Sequence, residues 1–115
     1  MVKRVVVGAH YGLRDWLVQR VSAAVMAAYT VLFAIVLVVA RPTNYSNWRA
    51  LFSGQAMKLA TLLFFLSLCL HAWIGMRDIL MDYVGALSVR LGLQAIVILA
   101  LTAWALWATQ ILWSV

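Results

Sequence analysis

Charged residues are absent from three long stretches of the chain, and these stretches are separated by short polar segments. The uncharged stretches cover residues 21–40, 59–76 and 91–115. About 20 apolar residues span the hydrocarbon core of a bilayer as an α-helix, and a helix pairs all of its own backbone polar groups in lipid. The pattern therefore predicts an all-α membrane protein with a single integral membrane domain, residues 1–115. Its three transmembrane helices are expected at about residues 14–41, 55–84 and 88–114.

The polar segments predict where these helices begin and end. Residues 1–13 are expected to form a loose or extended basic arm. Pro42 disfavours helical geometry in the residue before it and should end the first helix. An outer loop follows, in which Ser46 is expected to start a helical turn. Gly85 is expected to end the second helix.

Composition excludes a soluble domain of this size. Hydrophobic residues make up 67% of the 115 residues and charged residues only 10%, more apolar surface than so small a soluble fold could bury. The formal net charge is +6, but the basic residues flank apolar segments, which indicates contact with lipid rather than nucleic acid. The single cysteine, Cys69, lies within a predicted helix and excludes an internal disulfide.

The distribution of basic residues predicts the orientation of the chain. Six of them lie in the N-terminal arm or around the second loop, and three lie in the first loop. Because basic loops remain on the cytoplasmic side, the N-terminus is expected in the cytoplasm and the C-terminus on the opposite side. The six are Lys3, Arg4, Arg14, Arg20, Arg77 and Arg90, and the three are Arg41, Arg49 and Lys58.

The second predicted helix carries a narrow polar stripe. With about 100° of rotation per residue, Ser67, His71, Gly75, Asp78 and Asp82 lie within about 40° of the direction of His71. The opposite side consists of Leu, Phe, Ile and Met. Such segregation indicates that the stripe faces protein or a cofactor rather than lipid.

Three interpretations of the intramembrane histidine, His71, remain open on this pattern alone. It could donate a hydrogen bond to a neighbouring helix, take part in a proton relay, or ligate haem iron. A relay would require acids deep in the membrane, whereas Asp78 and Asp82 lie near the boundary. Gly75 leaves room for a flat macrocycle, although small residues also permit close helix packing. His10 is expected to be a solvated surface residue, so a second histidine ligand would come from another chain.

Two further residues have a functional and an ordinary interpretation. Arg20 is expected at the cytoplasmic mouth of the first helix, where a guanidinium suits a haem propionate but also serves as a membrane anchor. Tyr83 is expected at the same interface, about 18 Å beyond His71. Its phenol could belong to an interfacial aromatic belt or donate a hydrogen bond to the carbonyl of a lipophilic substrate.

These residues resemble the small hydrophobic membrane-anchor subunit of bacterial succinate dehydrogenase (succinate:quinone oxidoreductase, complex II). The resemblance extends over nearly the whole chain, and the pattern His-x3-Gly-x6-Asp-Tyr of the second helix is its most specific element. The matching segments are Asp15-Trp-Leu-Val-Gln-Arg20-Val-Ser-Ala, His71-Ala-Trp-Ile-Gly-Met76 and Asp82-Tyr83-Val84.

The resemblance implies a role for each candidate residue. His71 would be one axial ligand of haem b in a helical bundle completed by a partner cytochrome b subunit, and Arg20 would lie near the haem propionates. Tyr83 would hydrogen-bond ubiquinone, with Asp82 in the surrounding polar network. Flavoprotein and iron–sulfur subunits, which hold the FAD and the iron–sulfur clusters, would dock on the cytoplasmic face of the bacterial inner membrane, leaving the C-terminus periplasmic. The chain would not be catalytic alone.

Other functions are compatible with a small three-helix membrane protein. The chain could anchor a fumarate reductase or another membrane dehydrogenase. A small transporter generally needs an acid deep in the membrane, and the three uncharged stretches contain none. An assembly protein would carry no cofactor, so the presence or absence of haem separates it from an anchor subunit.

Overall fold

The computed structural model describes the backbone of residues 2–115 and the side chains of residues 12–115. In this range the chain forms helices α1 (Val2–Ala40), α2 (Tyr45–Ser53), α3 (Gln55–Tyr83) and α4 (Leu87–Trp113). The prediction of a loose arm over residues 1–13 is wrong, because α1 already begins at Val2. The side chain of His10 lies outside the described part of the chain, so its expected exposure stays a prediction.

Three of the helices are long and apolar enough to cross a membrane. The candidate spans are Gly12–Ala40, Gln55–Tyr83 and Leu87–Trp113, with hydropathy values of 2.6, 1.9 and 2.0. Among the described side chains, the buried apolar ones are Ile74, Leu80 and Leu112. Many large apolar side chains are exposed instead, as expected where lipid or another hydrophobic chain covers the surface. The fold is thus the predicted all-α membrane bundle.

The connections differ from the sequence predictions in two places. Helix α2 is capped by Asn44, not Ser46, because the Asn44 side chain accepts a hydrogen bond of 2.9 Å from the backbone N–H of Asn47. Helix α3 ends at Tyr83, and Val84 donates to the carbonyl of Leu80 over 3.0 Å. The end of α3 is therefore made by extended backbone, and Gly85 does not take a left-handed conformation there.

The end of α1 agrees with the expected effect of proline. Arg41 directly precedes Pro42 and has a φ of 47°, in the left-handed region that often follows a helix. Its backbone N–H still donates to the carbonyl of Leu37 over 2.9 Å. Pro42 thus turns the chain away from α1 and into the short connection before α2.

Helix α3 is the centre of the bundle, because it packs against α1, α2 and α4. Polar pairs join α1 to α3, and the three whose contacts the described side chains give have members on α1 that are seven residues apart, or two helical turns. Positions that advance along α1 pair with positions that go back along α3, so the two helices are antiparallel. The pairs are Asp15 with Arg77, Ser22 with His71, and Tyr29 with Thr61.

The end of the bundle away from Asp15 is held mainly by aromatic contacts. The ring of Tyr29 stacks on Phe64 of α3 at 4.7 Å, while its hydroxyl lies 2.7 Å from that of Thr61. The ring centres of Phe33 on α1 and Phe52 on α2 are 6.0 Å apart. These contacts hold the short helix α2 against the bundle. The polar contact of His71 lies in the other half of the α1–α3 interface.

Removing either member of the Asp15–Arg77 ion pair is expected to lower the thermal unfolding midpoint of the purified complex. The two side chains are 34% and 27% exposed, and a partly exposed pair contributes about 1 kcal/mol. Asp15→Asn and Arg77→Gln each leave one charge without its partner, whereas the double variant leaves none. Scanning calorimetry should therefore show that the unfolding midpoint of the double variant falls by less than the sum of the decreases in the two single variants. A decrease equal to that sum would show that the two residues act separately.

Candidate functional site

His71 lies in the middle of α3, half-buried, on the side that faces α1. Its Nδ1 atom is 3.2 Å from the hydroxyl oxygen of Ser22, and Ser22 is buried at 3% exposure. His71 therefore lies within hydrogen-bond distance of a neighbouring helix, as the first interpretation expects. Since this contact uses one ring nitrogen, Nε2 is the nitrogen that remains for a ligand.

The polar stripe of α3 runs from the interior of the bundle to its surface. Ser67 is buried, His71 is half-buried, and Asp78 and Asp82 are exposed. All three acidic residues of the chain lie at this end of the bundle, since Asp15 pairs with Arg77 there. We call it the acidic end; it is the end that the basic-residue distribution predicts to be cytoplasmic.

Gly75 lies one turn beyond His71, and the space beside it is open. A Cβ atom added at Gly75 would meet no atom of the described residues within 4 Å. The glycine is therefore not needed for close packing against α1 or α4, which was the ordinary explanation for it. It leaves a surface without a side chain one turn from the imidazole.

Tyr83 is the last residue of α3 and is 84% exposed at the acidic end. Asp82 precedes it and is also exposed. In the part of the chain whose side chains are described, neither residue has a hydrogen-bond or ion-pair partner, and they do not pair with each other. Both are thus presented outward, and a polar network around Asp82 would have to include groups beyond the described side chains.

Arg20 lies between Asp15 and Ser22 on α1 but does not point toward His71. It is two residues from Ser22, which corresponds to about 160° around the helix and about 3 Å along it. Its guanidinium lies 5.3 Å from the ring centre of Trp16, within the range of a cation–π contact. The structure therefore brings Arg20 to nearly the depth of His71 but directs it to the opposite side of α1.

Sequence reasoning missed three residues that the structure places at the site: Asp15, Ser22 and Arg77. Arg77 was considered only among the basic residues that predict the orientation, yet it pairs with Asp15 and closes the α1–α3 interface at the acidic end. The signal was present in the spacing, because Asp15, Ser22 and Tyr29 follow each other at intervals of seven on α1. Recognising their partners required knowing which helix packs there and in which direction.

Larger grooves among the described residues lie elsewhere and are mainly apolar. Two of them, of about 470 and 450 Å³, flank the contact between α3 and α4 and share Cys69 and Leu101 in their walls, and another of about 470 Å³ includes Tyr29 in its wall. None of the four candidate residues lines them. A smaller groove of about 260 Å³ lies between α1 and α3 and is lined in part by Ser22 and Ser67.

The described side chains contain no group of three or more His, Cys, Asp or Glu residues close enough to hold a metal ion. A site in which His71 acts as a ligand therefore differs from a multidentate protein metal site. It would offer a single imidazole nitrogen, as in haem proteins, where the porphyrin supplies the remaining nitrogen ligands.

The three apolar spans and the intramembrane histidine define the class of protein as a multi-pass membrane subunit with a polar site inside its bundle. Comparison with known proteins makes this specific. Residues 3–109 match the family "Succinate dehydrogenase/Fumarate reductase transmembrane subunit", and the chain belongs to this family. It is 43% identical over 102 residues to the succinate dehydrogenase hydrophobic membrane anchor subunit of Coxiella burnetii (strain RSA 493 / Nine Mile phase I), covering 89% of each chain.

Proposed function

We propose that this chain is the membrane-anchor subunit of a succinate:quinone oxidoreductase in a bacterial inner membrane. Together with a cytochrome b subunit it holds the flavoprotein and iron–sulfur subunits at the membrane, co-ligates haem b and forms part of the ubiquinone site. The observation that carries the proposal is His71: an imidazole within a membrane span, with Nδ1 engaged by Ser22 and open space beside it at Gly75.

The residues present fit a b-type haem. His71 would hold the iron through Nε2, and the backbone at Gly75 would lie near the ring. A neutral imidazole tolerates the low dielectric of the membrane far better than a charged group does. The second axial ligand would come from the cytochrome b subunit, since ligands on opposite faces of the ring cannot both project from one side of α3. When bound, the haem supplies a one-electron redox centre.

Tyr83 is proposed as the hydrogen-bond donor to a ubiquinone carbonyl. Its 84% exposure at the acidic end of α3 leaves the hydroxyl available to a molecule that approaches from outside this chain. A hydrogen bond to an oxygen that gains negative charge on reduction stabilises the reduced quinone. The exposed carboxylate of Asp82 would belong to the polar surroundings, completed by the partner subunits.

For Arg20 we propose a contact with a haem propionate. The support is its positive charge, its exposure and its depth close to that of His71. Because Arg20 points away from α3, the contact requires a propionate on the outer side of α1, at the interface with the cytochrome b subunit. Arginine suits this role, since its planar guanidinium pairs with carboxylates through two hydrogen bonds.

The acidic end is proposed to face the cytoplasm. The larger number of basic residues on that side supports this orientation. It places Tyr83 on the face where the iron–sulfur and flavoprotein subunits would dock, so electrons from succinate need not cross the bilayer to reach the quinone. The relative from Coxiella burnetii is named for succinate dehydrogenase, which favours succinate oxidation over fumarate reduction as the function of the complex.

The test is to solubilise the membranes gently, purify this chain with its bound proteins, and record subunit masses and a reduced-minus-oxidised spectrum. We expect four subunits, a low-spin b-haem spectrum and succinate-dependent quinone reduction. A complex of the same composition without haem would reject the cofactor assignment and retain the anchor. Recovery of this chain with none of these partners would reject the function as a whole.

A further inference from the structure

Ser22 occupies an unusual position for a small polar residue in a membrane helix. It is buried at 3% exposure, and its hydroxyl oxygen has two neighbours within hydrogen-bond distance. One is the backbone carbonyl of Gln19 at 3.2 Å on the same helix, and the other is Nδ1 of His71 at 3.2 Å on α3. The proposed function assigns a role to His71 and none to Ser22.

The number of protons in this chain of contacts determines which atom donates. A serine hydroxyl has a single proton and can accept through its lone pairs. A carbonyl oxygen can only accept, so the contact between Ser22 and Gln19 uses the hydroxyl proton. The contact between Ser22 and His71 then has a donor only if Nδ1 carries a proton, which it donates to the serine oxygen. With Nδ1 protonated, a neutral imidazole has its free lone pair on Nε2.

We propose that Ser22 is the positioning residue that fixes His71 in the Nδ1–H tautomer and so presents Nε2 to the haem iron. This inference rests on the proposed function and deepens it by naming the residue that orients the ligand. The reverse arrangement, in which the serine donates to Nδ1, would leave the proton on Nε2 and block it as a ligand. Ser22 and the carbonyl of Gln19 thus act through the imidazole and do not touch the iron.

A hydrogen bond accepted from the non-ligating nitrogen has a measurable effect on a haem. It makes the imidazole a stronger electron donor and holds its ring orientation. A stronger donor favours oxidised over reduced iron, and hydrogen bonding around the ligands is one of the factors by which a protein sets the potential. Removal of the Ser22 hydroxyl should therefore make the haem easier to reduce.

The experiment compares Ser22→Ala, Ser22→Thr and the unaltered chain in the purified four-subunit complex. The readouts are the haem midpoint potential by redox titration and the electron paramagnetic resonance spectrum of the oxidised haem. At the midpoint potential of the unaltered complex, Ser22→Ala should raise the ratio of reduced to oxidised haem by about three- to tenfold. Tenfold corresponds to 59 mV for a one-electron couple. Ser22→Thr retains the hydroxyl and should restore the unaltered values.

The matched control is Thr30→Ala, which also removes a hydroxyl from α1. The Thr30 hydroxyl donates to the carbonyl of Met26 over 2.8 Å, so the control removes the same kind of bond to the helix backbone without a bond to His71. Its haem potential and spectrum should not change. An equal shift in Thr30→Ala and Ser22→Ala would overturn the proposal, because it would reflect a general effect on α1.

Ser22→Cys keeps the inference testable if the alanine variant does not assemble. Sulfur is a weaker acceptor than a hydroxyl oxygen, so a smaller shift in the same direction is expected. A haem-containing Ser22→Ala or Ser22→Cys complex with unaltered potential and spectrum would overturn the role of Ser22 while leaving haem ligation by His71 intact. A haem-free unaltered complex would instead overturn the proposed cofactor function.

Discussion

Replacing His71 with asparagine is expected to abolish the low-spin b-haem spectrum of the complex while leaving this subunit in the membrane. Asparagine has no imidazole nitrogen to bind iron, but its amide can still hydrogen-bond the hydroxyl of Ser22, which His71 contacts at 3.2 Å. The α1–α3 interface should therefore persist. The measurement is the haem-to-protein ratio and the reduced-minus-oxidised spectrum of the purified complex, with subunit content determined in parallel.

Cys69→Ala is the matched control for this variant. Cys69 lies two residues before His71 on α3 but faces α4, with its sulfur 3.7 Å from the carbonyl of Leu101. It shares the depth and the helix of His71 without sharing its proposed role, so haem content should stay unaltered. A His71→Asn complex that keeps an unchanged low-spin spectrum would reject His71 as the ligand. If Cys69→Ala lost haem equally, the loss would reflect general disturbance of α3.

Replacing Tyr83 with phenylalanine is expected to slow ubiquinone reduction by about tenfold. The rate of succinate oxidation, measured with a soluble electron acceptor in place of the quinone, should not change. The substitution removes the hydroxyl alone, and a hydrogen bond that stabilises the transition state by about 1.4 kcal/mol corresponds to a factor of ten. Tyr83 is 84% exposed, so the loss of its hydroxyl should not disturb the packing of the bundle. The two rates are measured on the same preparation.

Tyr45→Phe provides the control for the loss of an exposed phenol. Tyr45 is 78% exposed and begins α2 at the opposite end of the bundle. Both rates should be unaltered in this variant. Equal quinone reduction in Tyr83→Phe and the unaltered complex would exclude the proposed hydrogen bond, whereas a parallel loss of both rates would indicate a defect in the attachment of the catalytic subunits.

The sequence predicted the membrane spans closely because their cause is local. A segment without charges that is long enough to cross a bilayer has no other low-energy conformation than a helix. Helix α3 ends at Tyr83 and α4 begins at Leu87, where the polar segment between uncharged stretches indicated a connection. The helix ends were less predictable. Asn44 rather than Ser46 caps α2, because several nearby residues satisfy the same capping rules. Helix α1 continues back to Val2.

The candidate site was predictable in part, for the same reason. An imidazole, a glycine and two carboxylates at helical spacing identify one face of α3, and helical periodicity is a property of the sequence. The relation of Arg20 to that face was not predictable, because it depends on how α1 is rotated against α3. The structure turns the exposed Arg20 away and instead places the buried Ser22 against His71.

By itself, the sequence determined that the chain crosses a membrane three times and carries a histidine within one crossing. These properties follow from the free-energy cost of exposing backbone polar groups and charges to lipid. That cost depends on each segment by itself and not on its neighbours. The tertiary structure decided which residues meet across the helices: Asp15 with Arg77, and Ser22 with Nδ1 of His71. In lipid, helix association depends on close packing and a few interhelical hydrogen bonds, so the rotation and register of α1 on α3 select these partners.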